Sequence, residues 1–134
     1  MASIFTRIIN GEIPCFKVAE TKDYIAFLDV APIVKGHTLV IPKDEKPYIF
    51  DYEPEYYAGL WKFAQKVARA QKRAIPCLRI GVGVLGLEVP HAHIHLIPLQ
   101  SEKDLNFQKE KMHLPDDEMK AIAESIAKEY EKEK

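Results

Sequence analysis

The 134-residue chain has only two cysteines, Cys15 and Cys77, and no Cys-x-x-Cys pair. That scarcity argues against a disulfide framework or a thiolate metal cluster. It fits a reducing cytoplasm and two free thiols packed in strands. There is no excess of charge of one sign, since 19 Lys and Arg face 20 Asp and Glu for a formal net charge of −1. No basic tract marks a surface for a nucleic-acid polymer, although a local pocket can take a free nucleotide without one. No apolar run approaches the ~20 residues of a membrane helix, so no membrane partner is expected. The opening MASIFTRIINGEIP carries no apolar core of a signal peptide. Repeats, low-complexity segments and linkers are also lacking, so one domain is expected over residues 1–134.

Hydrophobic residues make up 47% of the chain, enough for a core without metals or disulfides. SIFTRIINGEI reads as a short helical turn ended by Gly11 and Pro14. CFKVAE and YIAFLDV, split by the polar TKD, read as a hairpin. GHTLVIPK is a third strand, opened by Gly36 and closed by Pro42. Pro54 starts a long helix in which Tyr56, Tyr57, Leu60, Phe63, Ala64, Val67 and Ala68 recur at helical spacing. Pro76 stops it by Ile75. CLRIGVGV and HAHIHLIPL read as the last two strands, QSEKDLNFQKEKMH as a polar excursion. A final helix is expected over about 115–132, with acids in its first turn and a stripe of Met119, Ile122, Ala123, Ile126 and Tyr130. The sum is an α+β domain: a five-stranded antiparallel sheet, one long helix between strands three and four, and a C-terminal helix.

VPHAHIHLIPL holds three of the five histidines at every second position: His91, His93 and His95. In a strand, alternate residues share a face, so the three imidazoles project one way while Ala92, Ile94 and Leu96 turn to the core. Two chemistries fit. Neighbouring rings two residues apart can chelate an ion, with His37, Asp29 or Glu88 completing the set. At ~3.3 Å per residue, however, His91 and His95 stand ~13 Å apart, too far for one small ion. Alternatively, a row of imidazoles tracks an extended anion. One ring then attacks phosphorus and its neighbours donate to the oxygens, since imidazole is available as a neutral nucleophile near pH 7.

HAHIHLIP resembles the His-x-His-x-His-x-x signature of the histidine triad (HIT) family of nucleotide hydrolases and transferases. The stretch from Ile4 to Lys43, IFTRIINGEIPCFKVAETKDYIAFLDVAPIVKGHTLVIPK, is similar to that family's N-terminal half, and the likeness spans about residues 3–99. The resemblance implies cleavage of a nucleoside 5′-phosphoryl bond, of phosphoramidate or dinucleoside polyphosphate type, with His93 as nucleophile and a nucleotidyl-histidine intermediate. It implies that His95 and His91 stabilise the phosphoryl oxygens and orient the attacking ring, and that His37 supports the triad from the adjacent strand. It assigns Asp29 to the ribose hydroxyls, where a carboxylate accepts two hydrogen bonds from a diol. Ile8, Phe27, Leu28 and Ile41 would line a slot for a purine, as in AMP. It also implies a homodimer, which the aromatic surface of Tyr56, Tyr57, Trp61 and Phe63 supports.

Two departures stand out. Many bacterial relatives hold zinc through a Cys-x-x-Cys pair near the start. Here Ser3 and Thr6 occupy those places, and Asp44 and Glu45 follow VIPK where a histidine is usual, so neither a zinc site nor any other cofactor is expected. Before the triad, Leu87 replaces the family's glutamine and Glu88 stands beside it, which removes an amide donor to phosphate and adds an acid. The Gly86 backbone N–H remains as a donor. Glu88 either faces away from the phosphate, acts as a base, or meets a cationic leaving group. A catalytically weak nucleotide-binding module is the alternative to a hydrolase.

Overall fold

A computed structural model describes residues 2–134. Helix α1 (Ile4–Ile9) begins where the Ser3 hydroxyl accepts the Thr6 N–H at 3.1 Å, satisfying a donor that the first turn leaves free. It ends beside Gly11, whose φ of +79° lies in the region that favours glycine. Strands β1 (Lys17–Glu20), β2 (Tyr24–Leu28) and β3 (Thr38–Pro42) follow as an antiparallel meander. Helix α2 (Pro54–Ala74) carries proline in its first turn and stops before Pro76. Strands β4 (Arg79–Gly83) and β5 (Ile94–Leu99) and helix α3 (Asp116–Tyr130) complete the chain.

The sheet order is β1-β2-β3-β5-β4 and every neighbouring pair is antiparallel. The expected α+β architecture is therefore the one observed. Placing β5 between β3 and β4 makes it an inner strand, so His95 is paired on both edges. α2 and α3 cover one face, where Ala26, Leu28, Val40, Ile94 and Leu96 meet Leu60, Val67 and Ile126. On the other face, Phe5 of α1 sits among Ile25, Phe27, Leu39 and Ile41. Covering both faces explains why β3 is buried at all five positions instead of alternating.

The elements differ from expectation in four places. The strands are shorter than the apolar runs, and Cys15 and Cys77 lie just outside them as half-buried free thiols. β5 starts at Ile94, so His91 and His93 precede the ladder. Continuing the register would set Pro42 opposite Ala92, and proline has no N–H to give. Ala92 N–H bonds instead to the Lys46 carbonyl at 2.8 Å. The helical face also shifts: Ala70 and Gln71 are buried, while Tyr56, Tyr57 and Ala68 are only partly so. Gln71 Nε2 donates to the Gly36 and Leu96 carbonyls at 2.9 and 3.0 Å, tying the helix to β5 and to the turn before β3. Finally, two of the four aromatics expected at a dimer face are spent within the chain. Tyr56 donates to the Asp23 carbonyl, and Phe63 packs between Tyr24 and Tyr130.

Candidate active site

The lead-in to β5 carries His91 and His93 and the strand itself carries His95, with Ala92, Ile94 and Leu96 turned toward α2 and α3 as expected. The His93 ring lies against Phe5 on the opposite face, with centroids 4.9 Å apart, and against His95 at 4.8 Å. His93 Nδ1 is 2.7 Å from the His91 carbonyl. A carbonyl only accepts, so Nδ1 carries the proton and Nε2 keeps its lone pair.

The same reasoning assigns its neighbours. Ile33 N–H donates to His37 Nδ1 at 3.3 Å, so His37 Nε2 is protonated and donates to His95 Nδ1 at 2.9 Å. His95 therefore bears its proton on Nε2. The two tautomers are complementary: an unprotonated Nε2 on His93 stands beside an Nε2–H on His95. Burial keeps all of these rings neutral. It lowers His93, and takes His37 down to about 4 and His95 down to about 3. Neutrality matters because a protonated His93 would have no lone pair to give.

His91 fits one half of its expected role, orienting His93, but not the other. Its ring is fully buried, with Nε2–H donating to the Pro42 carbonyl at 2.7 Å and Nδ1 accepting from the Ser3 hydroxyl at 2.8 Å. Both nitrogens are used internally, so the ring cannot donate to a phosphate. Its contribution to the site is the main-chain carbonyl that orients His93.

Asp29 Oδ1 caps the turn at Ala31 N–H at 2.9 Å, and Oδ2 lies 3.8 Å from His37 Nε2. Burial pushes its carboxyl upward. One oxygen thus serves the turn and the other faces the site. Beside it is a cleft of about 90 Å³ lined by Ile8, Phe27, Leu28 and Asp29, with Phe5 and Cys15. Ile41 is absent from that lining; fully buried among Ile25, Phe27 and Leu39, it is core. A larger cleft, about 610 Å³ between the C-terminal end of α2 and α3, contains no histidine and is remote from this chemistry. In the loop between β4 and β5, Gly86 takes φ +70° and Leu87 is 89% exposed. The Glu88 charge adds slightly to the rise that burial imposes on Asp29.

Ligand atoms of Asp29, His37 and His95 lie within 4.8 Å of one another, as a metal would require. An ion there would have to displace the proton shared between His37 and His95 and turn the His37 Nδ1 acceptor into a donor facing Ile33 N–H. The hydrogen-bond order opposes it.

The family described as "HIT domain" matches residues 10–102. The chain belongs to the HIT family. Among relatives, it is 40% identical over 103 residues to adenosine 5′-monophosphoramidase HNT1 of Saccharomyces cerevisiae, covering 76% of this chain and 65% of that protein. It is 35% identical over 129 residues to adenosine 5′-monophosphoramidase hnt1 of Schizosaccharomyces pombe, covering 95% of this chain and 97% of that protein. A HIT-like protein of Bartonella henselae superposes with TM-score 0.83 at 32% identity, covering 95% of each chain.

Against the HIT pattern, the residues at the zinc positions form a metal-free knot. Glu45 accepts the Ser3 N–H at 2.9 Å and the Thr6 hydroxyl, while Ser3 Oγ reaches His91 Nδ1. Those bonds hold the Glu45 carboxyl down at about 2. Two hydroxyls, a carboxylate and a ring already hydrogen-bonded do not suit zinc, which favours thiolates and imidazoles in structural sites. The convergence of residues 3, 6, 45 and 91 leaves no periodic signal; it appears only once α1 docks on the sheet.

Two outcomes are expected. A strong chelator leaves the melting temperature unchanged, whereas Ser3→Ala costs about 1–2 kcal/mol in urea unfolding by removing a helix cap and the His91 partner; a chelator-sensitive Tm would contradict this. Because His37 and His95 bind protons less readily folded than unfolded, protonation favours the unfolded chain below about pH 6.5. Stability present above that pH is lost as pH falls toward the folded values. Calorimetry from pH 7.5 to 4.5 should show a falling Tm, with a shallower fall in His37→Gln; parallel curves would refute the assignment.

Proposed function

We propose that this HIT protein hydrolyses a nucleoside 5′-phosphoryl bond, of the phosphoramidate or dinucleoside polyphosphate type, through a covalent intermediate on His93. The supporting observation is the tautomer pair: an Nε2 lone pair on His93 beside an Nε2–H on His95. His93 Nε2 attacks the α-phosphorus, and the bond to the leaving group breaks with its electron pair going to that group, which takes up a proton. The charge gained by the imidazole is shared through Nδ1–H with the His91 carbonyl. The His95 N–H, oriented by His37, donates to a phosphoryl oxygen, a preorganised donor of the kind that supplies the largest catalytic term. Water then attacks phosphorus, the N–P bond breaks, and the nucleoside monophosphate leaves. Asp29 takes the ribose hydroxyls, and Ile8, Phe27 and Leu28 flank a purine. The two yeast relatives named adenosine 5′-monophosphoramidases support an AMP-type substrate. Leu87 and Glu88 in place of donors favour the second reading, a binding module with weak turnover.

The test is turnover of adenosine 5′-phosphoramidate and of diadenosine polyphosphates. His93→Gly should lower kcat by at least about 10³-fold, and a base quench of wild type should trap the nucleotide on His93. AMP binding without turnover would select the module.

The homodimer is also part of this proposal. β4 is an edge strand, and Leu78, Val82 and Leu85 beside it are 67, 46 and 52% exposed. An unpaired apolar edge invites pairing with a second copy. Light scattering at micromolar concentration should give twice the 15.3 kDa chain mass; a monomer would refute it.

A further inference from the structure

An anionic phosphoryl group needs positive charge, and the residues described so far supply none: the histidines are neutral, and Asp29 and Glu88 are acids. The missing charge comes from the segment that reads as a polar excursion. After β5 the chain makes a 3-10 turn at Glu102–Asp104, closed by a reciprocal cap between Ser101 and Asp104. It then crosses β4, where two glycines receive it. A Cβ on Gly81 would meet Leu105 Cδ1 at 3.1 Å, and one on Gly83 would meet the Phe107 ring at 3.2 Å. Gly83 is the ladder partner of His95. Its lack of a side chain lets Phe107 lie edge-on to His95, with centroids 4.7 Å apart, and 6.5 Å from His37. Asn106 folds the next turn by accepting the Gln108 and Lys109 N–H groups. The far end is fastened where Met112 N–H donates to the Pro32 carbonyl at 2.8 Å, three residues after Asp29.

Between these two anchors lies Lys111. Its ammonium donates to the Phe107 carbonyl at 2.8 Å, with the Lys109 carbonyl a distant 3.5 Å away. We infer that Lys111 is the phosphate-binding cation of this site, held over His95 by a strap of residues 105–112 that the glycines of β4 seat. This rests on the hydrolase reading above and adds a residue to it. An ammonium has three N–H donors and the strap engages only one of them closely. The lysine side chain is exposed and its long stem lets the head reach a phosphoryl oxygen on the His95 side. Burial dominates the shifts of Asp29, His37 and His95; the Lys111 charge adds to the lowering of the two rings and partly offsets the rise of Asp29. The same cation therefore discourages protonation of the donor ring and offsets the acids at the rim. It also compensates for the donors that Leu87 and Glu88 do not provide.

The experiment compares wild type, Lys111→Met and Lys111→Arg as full-length chains by calorimetric titration with AMP and with adenosine, at 50 and 300 mM salt. Lys111→Met should weaken AMP about tenfold at low salt and flatten its salt dependence, Lys111→Arg should retain most of the affinity, and adenosine should bind all three alike. In the nucleotide-free protein, histidine NMR titrations should move upward for His37 and His95 in Lys111→Met. AMP binding by Lys111→Met as tight as wild type would overturn this inference and leave the hydrolase reading intact. Failure of wild type to bind AMP at all would remove both.

Discussion

The site depends on one hydrogen bond, from His93 Nδ1–H to the His91 carbonyl at 2.7 Å. That bond decides which nitrogen of His93 has a lone pair, and it forms where the chain has not yet entered the ladder, which begins at Ile94. Pro42 has no N–H to extend the pairing, and its carbonyl is taken by the His91 ring. The His91 carbonyl is consequently free to turn toward its own successor. A longer, more regular strand would have presented three equivalent rings and oriented none of them.

Around that bond four further imidazole hydrogen bonds form an ordered chain of donors and acceptors. Ile33, His37 and His95 run in one direction; Ser3, His91 and Pro42 run in another, joined to His93 by backbone alone. Burial does the electrostatic work by making each charged ring expensive. The cost of that arrangement is a site poor in positive charge. If Lys111 is the phosphate-binding cation, the strap seated on Gly81 and Gly83 answers this need with one lysine.

Much of this was legible beforehand because it rests on local rules. Pro54, Pro76 and Pro115 mark helix limits whatever surrounds them, and the stripe Met119, Ile122, Ala123, Ile126 and Tyr130 is buried as its spacing requires. The alternation that puts Ala92, Ile94 and Leu96 on the helix side is a property of extended backbone. Other assignments failed for lack of nonlocal information. Ile41 and Phe27 have the same polarity and both lie in strands, yet only Phe27 reaches the cleft, since two ladder positions along one face separate a lining from a core. Tyr56 and Phe63 look like surplus surface until Tyr24 and Tyr130 are brought beside them.

By itself, the sequence determined the order of the elements, the five-stranded α+β plan, the HIT kinship and the alternation of the three histidines, because periodicity, proline punctuation and motif spacing are written along the chain. Only the tertiary structure decided that the His91 carbonyl accepts from His93 Nδ1, that Ser3, Thr6 and Glu45 close a knot on the His91 ring, and that the segment after β5 returns over β4 to set Phe107 against His95. Those outcomes turn on the direction of hydrogen bonds and on close approach between segments tens of residues apart, and neither quantity has a signature in local composition.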